Sequence, residues 1–225
     1  MQSVKVVAVT KPTITDPITG YIIGVDEFIA YVARVSNPSN QNNTLTAPKL
    51  LRYLAKHKHW SPFEMADIVM EIETTRDIAR QILRHRSFSF QEFSQRYADP
   101  TKDLGFVTRE ARLQDMKNRQ NSLPTTDEDL KQNWTKMQED VIAGSIRAYQ
   151  WAVRKGVAKE VARAVLPEGM VQSRIYMSGT LRSWVHYVQL RSGNGTQLEH
   201  RIVARECAEA IAPVFPEIVD FIEKE

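Results

Sequence analysis

Between Arg84 and Tyr97 the chain reads RHRSFSFQEFSQRY. Arg84, His85, Arg86, Glu92 and Arg96 place charged or titratable groups in a segment that also carries Phe88, Phe90 and Phe93. A solvated helix face would balance its arginines with acids and hold fewer aromatics, and a core segment would not hold three arginines. An arginine in apolar surroundings must be paired or exposed. Arg80, Arg84, Arg86, Arg96, Arg163, Arg182 and Arg191 all stand near apolar residues with acids sparse around them. Two readings follow: side chains that snorkel to the surface, or a pocket for an anion. The chain has neither GxGxxG nor GxxxxGKS. A phosphate would therefore be held by arginines, helix N-termini or backbone donors.

Other reactive side chains are less promising. His57 and His59 are two residues apart, on different faces of a helix, and no CxxC or HExxH accompanies them, so no metal site is expected. Cys207 lies in VARECAEAIA, a small-residue helical pattern. It reads as a core or interface thiol without an activator. Ser94 has no GxSxG context, which leaves ligand contact or turn capping rather than nucleophilic attack.

The elements that must position these groups follow from periodicity. VKVVAVT (4–10) is β-branched and reads as a strand. Helices are predicted over 26–35, stopped by Asn37-Pro38, and over 47–58, where Leu50, Leu51 and Leu54 share a side. DIVMEIET (67–74) alternates, with Ile68, Met70 and Ile72 on one face, as a half-buried strand does. Residues 76–86 read as a helix that runs out into an aromatic loop. Residues 100–124 show no clear period. Thr125 and Glu128 have capping-box spacing before a long helix that Gly156 ends. Its stripe of Leu130, Trp134, Met137, Val141, Ser145, Ala148 and Ala152 suits a core or a subunit seam. A short helix over 157–165, a strand over 170–177, a helix over 181–191 capped by Ser178 or Thr180, a turn at 192–195 and a helix over 197–211 complete the chain. Strands and helices do not alternate strictly, so the expected class is α+β: a helix-rich single domain, residues 1–225, with a small, mainly antiparallel sheet.

The 225 residues suffice for one large domain. Net charge is only +3, too little to imply a polyanion partner, and one cysteine excludes an intrachain disulfide. No signal-peptide block and no transmembrane-length run is present. The expectation is a soluble, cytoplasmic protein. A single-stranded nucleic-acid binder, with phenylalanines stacking bases between arginines, is the rival class. The low charge and the lack of an RRM, KH or OB pattern weigh against it.

Arg84-His85-Arg86, seven residues, then Ser94, running on into Arg96-Tyr97, resembles the signature of the flavin-dependent thymidylate synthases. Further blocks resemble that family in order: Ala33-Arg34-Val35-Ser36, His59-Trp60-Ser61-Pro62-Phe63-Glu64, Val161 to Pro167, and Arg182 with Arg191. Gln95, Thr180, His186 and Gly195-Thr196-Gln197 depart from what bacterial members often carry.

The resemblance implies a homotetramer with shared active sites. It implies FAD, reduced by NADPH, methylenetetrahydrofolate as carbon donor, and reductive methylation of dUMP to dTMP. Flavin contacts would fall at Ser36, Ser61, Arg84, His85, Arg86, Glu92, Thr180, Arg182 and His186. Nucleotide contacts would fall at Gln81, Ile82, Leu83, Arg84, Glu92, Phe93, Ser94, Gln95, Arg96, Arg163 and Arg191, and folate beside His59 and Tyr97. Arg191 matches the arginine that contacts the uracil ring and promotes its ionisation at N3. Such a residue suits a chain whose one cysteine reads as structural: a guanidinium at the pyrimidine edge can stabilise an enolate-like ring without thiolate addition. Neither a membrane nor a nucleic acid is implied. A flavin- and nucleotide-binding paralogue acting on a pyrimidine nucleotide by another one-carbon or reductive step is the nearer alternative.

Overall fold

The computed structural model describes residues 3–222. Six strands and eight α-helices follow one another: β1 Ser3–Val9, α1 Val25–Ala33, α2 Ala47–Lys56, β2 Asp67–Thr75, α3 Arg76–Ile82, β3 Ser89–Glu92, α4 Pro100–Asp103, β4 Arg112–Gln114, β5 Ser122–Pro124, α5 Glu128–Arg154, α6 Lys159–Ala162, β6 Gln172–Thr180, α7 Leu181–Arg191 and α8 Leu198–Ile211. β1, β2, β6 and β3 form one antiparallel sheet in that order, and β4 and β5 form a separate hairpin. The class is α+β, as expected.

The alternation in β2 is realised as predicted. Ile68, Met70 and Ile72 are buried with Ile175 and Met177 of β6 and the apolar sides of α7 and α8. The opposite sheet face is charged: Lys5 pairs with Glu71 at 2.8 Å and Arg174 with Glu73 at 2.5 Å. One apolar face thus carries the helices, and the indole N–H of Trp184 on α7 donates to the Ile68 carbonyl at 3.1 Å.

The structure corrects or sharpens five expectations. The helix at Arg76 ends at Ile82, so Arg84-His85-Arg86 is a turn closed by tight bonds such as His85 N–H to Ile82 O, 3.0 Å. The aromatic stretch after it is not a loop but edge strand β3, Ser89–Glu92 registered against Ser178–Ile175. Its Ser-Phe-Ser-Phe alternation is a period-two signal. The long helix is capped by Asp127, whose carboxylate accepts from Leu130 N–H at 2.9 Å. Thr125 instead accepts from Asp127 N–H, one step outside the helix. Within the stretch that looked irregular, Asp115 accepts from the N–H groups of Lys117 and Asn118 at 2.8 and 3.1 Å and so turns the β4–β5 hairpin. The strand predicted over 170–177 runs over Gln172–Thr180, and Thr180 rather than Ser178 caps α7.

β3 is held against β6 by a close approach at Gly179. A Cβ there would stand 2.4 Å from the ring of Phe88. That ring cannot retreat, because Trp184 meets it edge-on at 4.8 Å and Tyr187 at 6.1 Å. Gly179→Ala is therefore expected to cost roughly 1–3 kcal/mol through overpacking, read as a lower melting temperature. An unchanged melting temperature would show that β3 can shift freely.

Candidate active site

Three polar clusters lie along α3, β3 and α7, the elements that flank the Arg84–Tyr97 segment. The first is a cleft of about 410 Å³ between the turn at Ser61–Met65 and α7. Its lining includes Trp60, Glu64, Ser87, Thr180, Arg182 and His186. Glu64 organises it, accepting from Arg182 at 2.5 Å and from the Thr180 hydroxyl at 2.7 Å. The Arg182 hydrogen bond, and after it that of Thr180, holds the Glu64 carboxyl below its usual range. Three expected flavin residues, Thr180, Arg182 and His186, are thus brought together. Ser61 is exposed on the same turn, between Trp60 and Glu64. Ser36 is exposed beyond α1 and does not line the cleft.

The second cluster surrounds Arg191, the last residue of α7. Its Nε–H donates to His85 Nε2 at 3.0 Å. A guanidinium has no acceptor, so His85 must be neutral there, with its proton on Nδ1. Burial, with the Arg191 and His186 charges, lowers the His85 pKa to about 4. The ring also meets Tyr187 edge-on at 5.0 Å. Only one nitrogen of Arg191 is thereby engaged. Its two terminal nitrogens, and the guanidiniums of exposed Arg84 and Arg86, have no hydrogen bond or ion pair among the described residues.

The third cluster centres on Glu92 at the end of β3. Arg80 reaches it at 3.2 Å, Arg76 at 3.5 Å, and the Ser173 hydroxyl donates to it at 2.9 Å. Beyond Glu92 the chain turns: Tyr97 and Ala98 N–H both donate to the Ser94 carbonyl at 3.1 Å. Ser94 Oγ accepts from Arg96 N–H at 3.3 Å, a turn-capping contact, with no base beside it among the described residues. Arg96 pairs with Glu160 at 3.3 Å. The Glu160 carbonyl accepts from Arg163 at 3.3 Å, so Arg96 and Arg163 flank one residue. Gln95 is buried, and its Nε2 has no partner among the described residues. That amide and the free cations are donors fit for an anionic ligand.

The family model described as "Thymidylate synthase complementing protein" matches residues 18–217. The chain belongs to that family. A probable flavin-dependent thymidylate synthase of Paramecium bursaria Chlorella virus 1 is 49% identical over 221 residues, covering 98% of this chain and 99% of the relative. A flavin-dependent thymidylate synthase of Synechocystis is 46% identical over 220 residues, covering 98% and 99%. The crystal structure of a UMP/dUMP methylase, PolB from Streptomyces cacaoi, bound with 5-Br dUMP shares the fold. Its TM-score is 0.77 at 24% identity, covering 98% of this chain and 94% of that one.

Within this family member, the residues expected at the site divide by position. Ile82 is fully buried in the core, so only its backbone could touch a ligand. Leu83 and Phe93 are half-buried. His59 and Tyr97 are both exposed: His59 lies beside the rings of His57 and Tyr53 at 6.2 and 6.4 Å, and Tyr97 follows the Ser94 turn. No group of three metal-ligating side chains occurs among the described residues.

Several site residues escaped the sequence reading. Arg76 is buried against Glu92 and Glu168. His200 is fully buried beside Gln81 and Tyr187. For Arg76 the signal was available: it opens the every-fourth-residue series with Arg80 and Arg84. For His200 there was none, because its partners are distant in the chain.

Proposed function

We propose that the chain is a flavin-dependent thymidylate synthase that methylates dUMP reductively to dTMP, as one domain over residues 1–225. The observation that carries this is the junction of the Arg84–Arg86 turn with Arg191, where a guanidinium with two unengaged terminal nitrogens rests on a neutral histidine that exposed Arg84 and Arg86 flank in the chain. The names borne by the relatives at 49% and 46% identity support it.

FAD suits the residues present. Arg84, Arg86 and Arg182 offer cations for a diphosphate, and Trp60 and His186 offer flat surfaces in the 410 Å³ cleft. Bound there and reduced by NADPH, FAD would supply the hydride. Methylenetetrahydrofolate would supply the carbon. The chain's own part is electrostatic. His85 anchors Arg191 through Nε, which leaves the terminal N–H groups to face the pyrimidine edge and stabilise its anion. Gln95, Arg96 and Arg163 hold the nucleotide phosphate in this reading.

No thiolate is needed. Cys207 is fully buried in the core, and burial pushes its thiol well above the ordinary range. Cys207→Ala is expected to retain most turnover and to lose about 1 kcal/mol of stability or somewhat more from the small cavity. A folded but inactive variant would return Cys207 to the mechanism.

The seam on α5 supports the homotetramer. Ser145 and Tyr149 are buried, whereas Leu130, Trp134, Met137 and Val141 are exposed on the same helix. In solution a particle of about four times the 25.8 kDa chain is expected by light scattering; a monomer would refute it. No described helix is long and apolar enough to cross a membrane, and we place the enzyme in the cytoplasm.

The decisive test is the purified protein with dUMP, methylenetetrahydrofolate, NADPH and FAD. A yellow protein that forms dTMP is expected. A colourless protein that binds no added FAD and forms no dTMP overturns the reading, and salt-sensitive oligonucleotide binding in its place would favour the nucleic-acid class.

A further inference from the structure

From Arg112 to Tyr187 runs a line of polar groups of which the proposed chemistry uses only Gln81. Arg112 Nη2 donates to Glu199 Oε1 at 2.6 Å, and Gln197 Nε2 donates to Glu199 Oε2 at 2.9 Å. Gln81 Nε2 donates to Gln197 Oε1 at 2.8 Å. His200 Nδ1 stands 3.2 Å from Gln81 Oε1, and His200 Nε2 stands 3.1 Å from the Tyr187 hydroxyl. Tyr187 and His200 are fully buried.

Chemistry alone fixes the direction of every bond in this line. Burial, the largest single influence on Glu199, pushes its carboxyl up. The hydrogen bonds from Arg112, its own backbone and Gln197 outweigh that and leave it below its usual range, so it is an anion and only accepts. Gln197 must therefore turn its NH₂ to Glu199 and its oxygen to Gln81. Gln81 must then turn its NH₂ to Gln197 and its oxygen to His200. His200 must donate from Nδ1, which leaves Nε2 to accept the Tyr187 proton. With His200 neutral, as burial holds it by lowering its pKa to about 3, no other assignment satisfies all five contacts.

We infer that Glu199 is a positioning residue: through this relay its carboxylate locks the Gln81 amide in one orientation and holds His200 as the Nδ1–H tautomer. Gln81 is an expected nucleotide contact, so the bearing on catalysis rests on the proposed function. The relay itself does not. A locked amide presents its remaining N–H and lone pair in a fixed sense, as discrimination between hydrogen-bonding ligands requires.

The isosteric variant Glu199→Gln makes a sharp test. Arg112 can only donate, so the new amide must turn its oxygen to Arg112 and its NH₂ to Gln197. Each later group then reverses: Gln197 flips, Gln81 flips, and His200 must accept at Nδ1 and carry its proton on Nε2. The chain has five histidines, so solid-state nitrogen spectra of histidine-labelled protein are tractable, with His200 assigned by its loss in His200→Gln. At pH 7 the expected wild-type spectrum shows His200 protonated on Nδ1, and E199Q shows it protonated on Nε2. A wild-type His200 protonated on Nε2, or an unchanged tautomer in E199Q, overturns the inference. If E199Q does not fold, the wild-type spectrum still decides between the two.

Titration of dUMP separates this from the functional reading. About tenfold weaker binding is expected in E199Q, the loss of roughly one well-made hydrogen bond. A reversed tautomer with unchanged dUMP affinity upholds the relay and removes Gln81 from the nucleotide site. If wild type binds no dUMP, the proposed function fails while the spectra still report on the relay.

Discussion

Arg191→Ala is expected to yield a folded, flavin-binding protein whose kcat for dTMP formation falls by about 10²–10³-fold, the range for removing one preorganised charge-stabilising donor. The effect should fall mainly on kcat, because the guanidinium interacts most strongly with the ring once it carries negative charge. Folding should survive, since Arg191 ends α7 and its one side-chain hydrogen bond among the described residues goes to His85. Arg191→Lys should not rescue turnover. An ammonium has no Nε to rest on His85 while two further N–H groups point forward. A kcat within threefold of wild type would take Arg191 out of the chemistry. The flavin spectrum and the melting temperature separate that outcome from a failure to fold.

Where burial on one face and chain-local signals coincided, the sequence was readable. Ile68, Met70 and Ile72 alternate with Glu71 and Glu73 because β2 has one apolar and one charged side. Gly156 marks the end of α5 because the chain there takes φ +82°, which a side chain would resist. β3 was missed because it is four residues long and lies at the sheet edge. Phe88, just before it, packs on Phe90 and on Trp184, so these aromatics looked like loop packing. The β4–β5 hairpin was missed because it carries little apolar period and is held by the Asp115 turn and by Arg112 donating to Ser122 at 2.9 Å.

The site was legible as residue types and illegible as pairings. Arginine surplus and the spacing from Arg84 to Ser94 marked the region, but nothing local says that Arg191 rests on His85 across 106 positions. Nor does anything local say that His200 meets Gln81 across 119. In LEHRIVARECAEAI that histidine looks like any helical polar residue. Only the packing of α8 against α3 and α7 makes it a buried member of the site. Long-range polar contacts of this kind leave no period in the sequence, since each partner satisfies its own element's pattern independently.

Acidification from pH 7 to pH 5 is expected to cost this fold about 4 kcal/mol through two buried histidines, offset in part by Glu206 and Glu217, whose carboxyls burial holds above the usual range. His85 and His200 are the cause. Burial, helped by the Arg191 charge, lowers His85 to about 4 and His200 to about 3 from an ordinary value of 6.5. Below pH 6.5 the unfolded chain therefore takes up protons at both sites that the native chain refuses. Stability falls as pH falls whenever the unfolded state binds more protons. The window opens near 6.5 and, for His85, closes near 4; each histidine contributes roughly 1.4 kcal/mol per pH unit inside it. Glu64 and Glu199, also held below their usual range, add losses in the same direction but only at lower pH. Urea midpoints at pH 7, 6 and 5 measure the slope. His200→Gln removes one of the two titrating rings and should roughly halve it, whatever it does to stability at pH 7. The native rings stay neutral down to about pH 4, so the contact of His85 with Arg191 persists at pH 5 and stability should decline before turnover does. A stability that is flat between pH 7 and 5 would mean that both histidines take up protons in the native state as they do in the unfolded chain, and Arg191 could not then rest on His85 at pH 5.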